Sequence, residues 1–456
     1  MKRIIILSTS LLLLAVSVFS KDITGQWNGV LNELKLRLVF HINKTGETYT
    51  ATMDSPDQNA FGIQVETITF DGSKLSLAIN KIGLLYEGEF KTDSIVGTFK
   101  QSILSIPMTL TRTPQDVKAI ARIQDPQLPY PYKSEDLRFD NKEAGITLAG
   151  TFTCPEKGKN FPAVVLVSGS GPQNRNEEVF GHRPFLVLSD FLTRNGIAVL
   201  RYDDRGVGES GGNYATAGLN DFASDAKAAV NYLKTRKEIN PKKLGIIGHS
   251  VGGTIAFMLA SEKNNNIAFI ISMAGMAIPG DSLLRMQRYT LSKAMGISDE
   301  DIAKSQAFMD IVTNLVNKYP ENFISQNMEK LTAEALPDSL KGNEAVKEAF
   351  QEAVRQLMAP EMKSTLNCNP TEALSKIKCP VFAIGGAKDL QVPADINLNR
   401  IKSLVKGPVS TLKMSDINHL FQHSTTGLPA EYSTIEETIS PNVLSAIDEW
   451  IKKYAL

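Results

Sequence analysis

Gly248-His249-Ser250-Val251-Gly252 follows the apolar run Leu244-Gly245-Ile246-Ile247 and leads into Thr254-Ile255-Ala256-Phe257-Met258-Leu259-Ala260. A short apolar run, a glycine-flanked serine and a helix-like segment describe a strand, a sharp turn and a helix. Such a turn exposes a serine at the C-terminal edge of a sheet, because the flanking glycines relieve the crowding of a strained backbone. Ser250 is therefore the candidate nucleophile. A bare G-x-S-x-G is also a common turn, so its meaning depends on the partners that the rest of the chain supplies.

Outward from this stretch, strands and helices alternate. Paired strands are predicted at 137–139 and 146–152, and the run 163–167 has the composition of a fully buried strand. The pattern continues with a helix over 185–194, a strand over 197–201, a helix over 222–235, a strand over 243–247, a helix over 252–261 and a strand over 268–273. Alternation of this kind predicts an α/β fold, a mainly parallel sheet with helices on both faces. Ligands of such sheets bind beyond the carboxyl ends of the strands, where Ser250 would sit. From 279 to 366 the alternation gives way to helical segments carrying Leu283, Met286, Met295, Phe308, Met309, Leu315, Phe350, Val354, Leu357 and Met358. Inserted between two core strands, they read as a helical cap. The core resumes at 367, with strands over 380–384 and 410–414 and a last helix over 442–453.

The chain before 137 is different. Lys2 and Arg3 precede an apolar stretch from Ile4 to Phe19, with Val18 and Ser20 at the positions of a cleavage site, so 1–20 reads as a secretory signal peptide cleaved near Ser20. The apolar core is short for a membrane span and the chain turns polar at Lys21, which predicts an exported protein without stable membrane insertion. From 21 to 113 the pattern has period two: Leu34, Leu36, Leu38, Phe40 and Ile42 alternate with Lys35, Arg37, Val39, His41 and Asn43. Seven or eight short antiparallel strands are expected, a small all-β barrel-like domain whose Gly25-Gln26-Trp27 opening resembles that of lipocalin-like barrels. A structural or docking module is a simpler role for it than a ligand-carrying calyx. Residues 114–136, with Pro126, Pro129 and Pro131, read as an extended linker. The 456 residues carry 49 basic and 49 acidic side chains, a balance that speaks against nucleic acid as a partner and for a small-molecule substrate. Cys154, Cys368 and Cys379 are odd in number and sparse, and read better as free thiols than as a Cys368–Cys379 bridge.

A serine hydroxyl needs a base within hydrogen-bond reach and a group that orients the base. Five histidines are available. His41 belongs to the first domain and His249 is beside Ser250 in the turn, expected to point elsewhere; His182 lies in the loop after 163–167. His419 follows the last core strand and fits best, with His423 second. The His419–His423 spacing also suits a zinc motif, but Leu420 stands where that motif needs glutamate, so no metal is expected. Asp389, in the loop after 380–384, is the candidate orienting acid. Asp395 and Asp416 are the alternatives. Oxyanion donors are expected from the backbone of Val251 and from the loop Ser168-Gly169-Ser170-Gly171-Pro172, where Ser170 is the first choice and Gly171 the second. Arg205 with Asp204 reads as a buried salt link. Arg175 and His182 suit either the pocket mouth or a solvated loop.

With Ser250, Asp389 and His419 in that order, the chain from about 137 onward resembles the α/β-hydrolase superfamily. Ser168-Gly169-Ser170-Gly171-Pro172-Gln173-Asn174-Arg175, Tyr202-Asp203-Asp204-Arg205-Gly206-Val207-Gly208-Glu209-Ser210 and Asp389-Leu390-Gln391-Val392-Pro393 are similar to the branch of exported bacterial carboxylesterases related to prolyl oligopeptidase and serine aminopeptidase hydrolases. The resemblance implies acyl transfer through a covalent acyl-enzyme, without a cofactor; the ordered triad and the apolar composition of the cap point to a carboxylic ester of a small or medium acyl group. A peptidase or amidase acting on short peptides is the alternative with the same chemistry. A binding protein with a degenerate hydrolase domain is the alternative without it. Ser168-Gly169 replaces the His-Gly that opens the oxyanion loop in many members, leaving the backbone donor intact.

Overall fold

The computed structural model describes residues 22–32, 36–56, 60–79, 83–101, 104–114, 122–263 and 266–455. The expected signal peptide, 1–20, lies outside them. Two compact units divide the chain, Met1–Lys118 and Ala119–Leu456.

The first unit is a single antiparallel sheet. Its nine strands are β1 (Gly25–Leu31), β2 (Leu36–Thr45), β3 (Thr48–Ser55), β4 (Ala60–Val65), β5 (Thr67–Phe70), β6 (Lys74–Ile79), β7 (Leu84–Phe90), β8 (Ser94–Gln101) and β9 (Leu104–Thr111), in the order β4-β3-β2-β1-β9-β8-β7-β6-β5. Its two end strands, β4 and β5, are consecutive in sequence with only Glu66 between them, so the sheet curls into a nearly closed barrel. Nine strands exceed the seven or eight expected because β3 turns only Ala51, Met53 and Ser55 inward and β4 carries Phe61 outward, a weak alternation. Trp27, Leu38, Phe40, Leu77 and Tyr86 fill the interior, and the buried polar atoms among them are satisfied: Trp27 Nε1 donates to Ile23 O at 2.7 Å and the Tyr86 hydroxyl to Ile95 O at 2.9 Å. The described interior is packed with side chains.

The second unit is built on eight strands: β10 (Tyr132–Asn141), β11 (Ile146–Pro155), β12 (Phe161–Val167), β13 (Ala198–Tyr202), β14 (Ile239–His249), β15 (Phe269–Met273), β16 (Val381–Gly386) and β17 (Val409–Met414). Their order is β10-β11-β13-β12-β14-β15-β16-β17. The six from β13 to β17 run parallel, and β11 is antiparallel to both of its neighbours. β12 and β14 to β16 are buried on both faces, which is why they read as unbroken apolar runs. One face is covered by α2 (Leu219–Lys234), α3 (Val251–Ser261) and α11 (Ala394–Leu404), the other by α1 (Pro184–Arg194) and α12 (Pro441–Ala455). From β12 the chain crosses to β13 on one side and then to β14 on the other. The strand order therefore reverses at β12 and β14, and a crevice opens beyond their carboxyl ends.

Between β15 and β16 lie α4 (Gly280–Ala294), α5 (Asp299–Lys318), α6 (Glu321–Gln326), α7 (Met328–Ala335), α8 (Glu344–Met358), α9 (Pro360–Leu366) and α10 (Thr371–Lys376). They bury a core of their own around Val312, Val316, Ile324, Phe350 and Val354, where Met309 and Met358 serve as filling. β10 begins at Tyr132, and upstream of it Gln124 and Arg122 bond this same unit, Gln124 Nε2 to Ile439 O at 2.7 Å and Arg122 to the Ile435 and Phe180 carbonyls. Cys154, Cys368 and Cys379 are free thiols. No helix among the described residues is long and apolar enough to cross a membrane.

Candidate active site

Ser250 occupies the turn between β14 and α3 with φ 51° and ψ −118°, a left-handed backbone that a serine seldom adopts. Strain of this kind costs on the order of 1–3 kcal/mol and persists where the surroundings enforce it. Here the Ser250 N–H donates to Met273 O at 2.8 Å and the Gly253 N–H to Ser250 O at 2.9 Å. The flanking glycines are required by close approach: a Cβ on Gly248 would lie 2.1 Å from Gly252 O, and one on Gly252 would lie 2.1 Å from Val167 O. Gly252 thus lets α3 pack against the end of β12 and brings the loop after β12 beside the nucleophile. A Cβ on Gly169 in that loop would be 3.3 Å from Ser250 Cβ. Gly252→Ala should lower stability by about 1–3 kcal/mol, since a backbone oxygen must move to admit the methyl group. Gly342→Ala, which meets nothing within 4 Å, should change it by less than about 0.5 kcal/mol. Thermal unfolding of the two variants checks both.

His419 and Asp389 come together from the loops after β17 and β16. His419 Nδ1 is 2.8 Å from Asp389 Oδ2, and both side chains are buried. The other oxygen of Asp389, Oδ1, accepts the Gln391 and Val392 N–H groups, each at 2.8 Å. The carboxylate is therefore fixed by its own loop before it meets the imidazole. Among the described contacts, Ser250 Oγ makes no hydrogen bond to His419. The alternatives are engaged elsewhere: His423 Nδ1 faces Glu437 at 2.8 Å, His182 is buried between Thr438 Oγ1 and Tyr432 O, Asp395 pairs with Lys413, and Asp416 accepts the Ser415 hydroxyl.

Of the expected oxyanion donors, Val251 opens α3 directly after Ser250. Ser170 lies in the loop after β12, where its carbonyl accepts Gln173 Nε2 at 3.2 Å. Gly171, the second choice, has its N–H taken by Glu361 Oε1 of α9 at 3.0 Å. Behind this loop, Asp204 accepts the Ser168 hydroxyl at 2.9 Å and the Gln173 N–H at 3.0 Å. Burial pushes the Asp204 carboxyl up to about 8, against the two hydrogen bonds that favour its charged form.

The salt link read from Asp204-Arg205 has other partners. Arg205 donates to Asp225 Oδ2 at 2.7 Å and Asp221 Oδ1 at 3.0 Å, pinning the loop after β13 to α2. Arg175 is not at a free pocket mouth: its guanidinium binds Asp203 at 3.1 and 2.7 Å, and the bound Asp203 titrates below its ordinary range although burial alone would raise it. Sequence reasoning missed Glu177. Its buried carboxylate accepts the Gly169 N–H at 2.6 Å and lies 2.8 Å from His249 Nδ1. The inserted helices reach both loops of the site, through Glu361 on Gly171 and through Thr290 Oγ1, which donates to Leu390 O at 2.5 Å.

Residues 184–395 match the family model described as "Serine aminopeptidase, S33". Over 319 residues the chain is 24% identical to "Esterase EstD" of Thermotoga maritima, covering 69% of this chain and 68% of that protein. It is 27% identical over 172 residues to "Uncharacterized protein YfhR" of Escherichia coli strain K12, covering 36% of this chain and 57% of YfhR. The Pyrococcus furiosus esterase Pf2001 superimposes with a TM-score of 0.42 at 18% identity, over 71% of this chain and 92% of that one. The α/β hydrolase GrgF from Penicillium sp. sh18 does so with 0.44 at 17%, over 71% and 99%. The chain is similar to the α/β-hydrolase superfamily through residues 184–395 and through EstD, and both support that assignment. It is an enzyme of the hydrolase class, carrying a nearly closed all-β domain ahead of its hydrolase unit.

Proposed function

We propose that the protein is an exported serine hydrolase cleaving carboxylic esters of small or medium acyl groups, with Ser250 as nucleophile, His419 as base and Asp389 as orienting acid. What carries the reading is the buried 2.8 Å contact between His419 Nδ1 and Asp389 Oδ2, beside a strained serine elbow. A carboxylate on Nδ1 keeps the proton there and leaves Nε2 as the lone-pair nitrogen that can take the Ser250 proton. Ser250 Oγ then adds to the ester carbonyl, and the oxyanion is met by the backbone N–H groups of Val251 and Ser170. His419 returns the proton to the departing alcohol as the C–O bond breaks, leaving an acyl-serine. Water, deprotonated by His419, adds to the acyl carbon and releases the acid and free Ser250. The cycle needs no cofactor.

The similarity to EstD favours an ester substrate, whereas the match to a serine aminopeptidase model favours a short peptide. A panel pairing nitrophenyl esters with aminoacyl anilides, run with a fluorophosphonate probe, separates the two. The expected result is ester turnover at least about 100-fold above anilide turnover in kcat/KM, a gap of about 2.7 kcal/mol in transition-state stabilisation, with the probe covalently attached to Ser250. Faster anilide cleavage would establish the peptidase, and folded protein that the probe does not label would overturn both. Recovery of the mature chain in the exported fraction, cleaved near Ser20, tests the location.

A further inference from the structure

Glu177 and His249 stand outside the reacting trio, are both buried, and between them touch the loops that build the site. Glu177 Oε1 accepts the Gly169 N–H at 2.6 Å and faces His249 Nδ1 at 2.8 Å. The other ring nitrogen, His249 Nε2, is 3.0 Å from the backbone oxygen of His419. A carbonyl oxygen only accepts, so Nε2 carries a proton. The Glu177 side chain at Nδ1 favours a second proton there, so the two contacts suit an imidazolium. Burial disfavours that charge, but Glu177, the His419 carbonyl and Asp389 outweigh it, and His249 titrates above its ordinary value. Glu177, His419 and Asp389 face this ring, and the Phe421 ring packs edge-on against it with its centroid at 6.0 Å. Glu177 itself is held at φ 52°, a backbone that a glutamate seldom enters without being made to.

We propose that Glu177 and His249 are positioning residues, a buried clamp that ties the oxyanion loop at Gly169 to the backbone of the base His419 and keeps both halves of the site in one relative placement during acyl transfer. This rests on the reading of Ser250, Asp389 and His419 given above. The clamp acts on the His419 backbone, while Asp389 acts on its ring, so the two are separable by mutation. Glutamine at 249 can place an amide N–H where Nε2 stands and still reach the His419 carbonyl. Asparagine can replace Nδ1 only and leaves that carbonyl without its donor.

The test measures kcat and KM for a short nitrophenyl ester, from neutral to alkaline pH, in the wild type, Ser250→Ala, His249→Gln, His249→Asn and Glu177→Gln, with thermal melting of each. His249→Asn should lose about 100-fold in kcat with KM nearly unchanged, the cost of a small misplacement, while His249→Gln should recover most of the loss. Wild-type kcat should fall as alkaline pH removes the second proton from His249, because a raised pKa supplies its contribution below that value and loses it above. In Glu177→Gln this limb should move to lower pH. Equal impairment of the two His249 variants, full activity in His249→Asn, or a limb that Glu177→Gln leaves in place would overturn the clamp. If neither His249 variant folds, the wild-type and Glu177→Gln profiles decide. Turnover retained by Ser250→Ala overturns the nucleophile reading and the clamp with it. An inactive Ser250→Ala beside a fully active His249→Asn overturns the clamp alone.

Discussion

Ser250→Ala is expected to lower kcat for a short ester by about 10⁶-fold, the scale on which removing the nucleophile of a serine triad acts. The variant keeps Val251 and the loop after β12, so the activity left should still exceed the reaction in water by about 10³–10⁴-fold, through oxyanion stabilisation and binding alone. KM should move little, because a hydroxyl that attacks the carbonyl contributes to the transition state far more than to ground-state binding. Stability should also be nearly unchanged. The strained turn at φ 51° is imposed by bonds from the Ser250 backbone to Met273 and Gly253, and these survive the loss of Oγ. Steady-state kinetics with thermal melting separate chemistry from folding. A loss of less than about tenfold in folded protein would remove Ser250 from the mechanism, since far larger losses accompany a missing nucleophile.

The elbow was legible because its geometry restricts sequence so tightly: Gly248 and Gly252 stand where a methyl group would lie 2.1 Å from a backbone oxygen. The central strands were legible for a related reason, burial on both faces, which leaves continuous apolar runs such as 163–167. Asp389 and His419 could be nominated because they follow consecutive parallel strands, β16 and β17, whose loops must open on the same side. What the residues could not disclose is tertiary aim. Asp204 and Arg205 are adjacent and opposite in charge, yet their side chains leave the chain in different directions, one to Ser168 and the other to Asp225. Glu177 and Glu178 are indistinguishable as letters, but Glu177 is buried against Gly169 and His249 whereas Glu178 is exposed. In the barrel, β3 escaped notice because Ala51, Met53 and Ser55 make a poor apolar stripe although they point inward.

Asp389→Asn should cost about 10⁴-fold in kcat, and the hydrogen bonds around residue 389 explain how so small a change does it. Oδ1 accepts two backbone N–H groups, from Gln391 and Val392 at 2.8 Å each, and a side-chain amide can satisfy both only by presenting its own oxygen to them. The amide nitrogen is then turned toward His419 Nδ1, where Oδ2 lies 2.8 Å away in the wild type. An N–H facing Nδ1 requires that nitrogen to accept, which moves the ring proton to Nε2. The base is present and correctly placed, but the lone pair that should take the Ser250 proton is occupied. Because the backbone caps are preserved, Asp389→Asn should melt within a few degrees of the wild type, whereas Asp389→Ala, which abandons a buried and a half-buried N–H group, should lose activity and also about 2–4 kcal/mol of stability. Titration of the His419 ring by nitrogen NMR reads the tautomer directly. An Asp389→Asn variant with Nδ1 of His419 still protonated and kcat within about tenfold of the wild type would show that Asp389 does not orient the base.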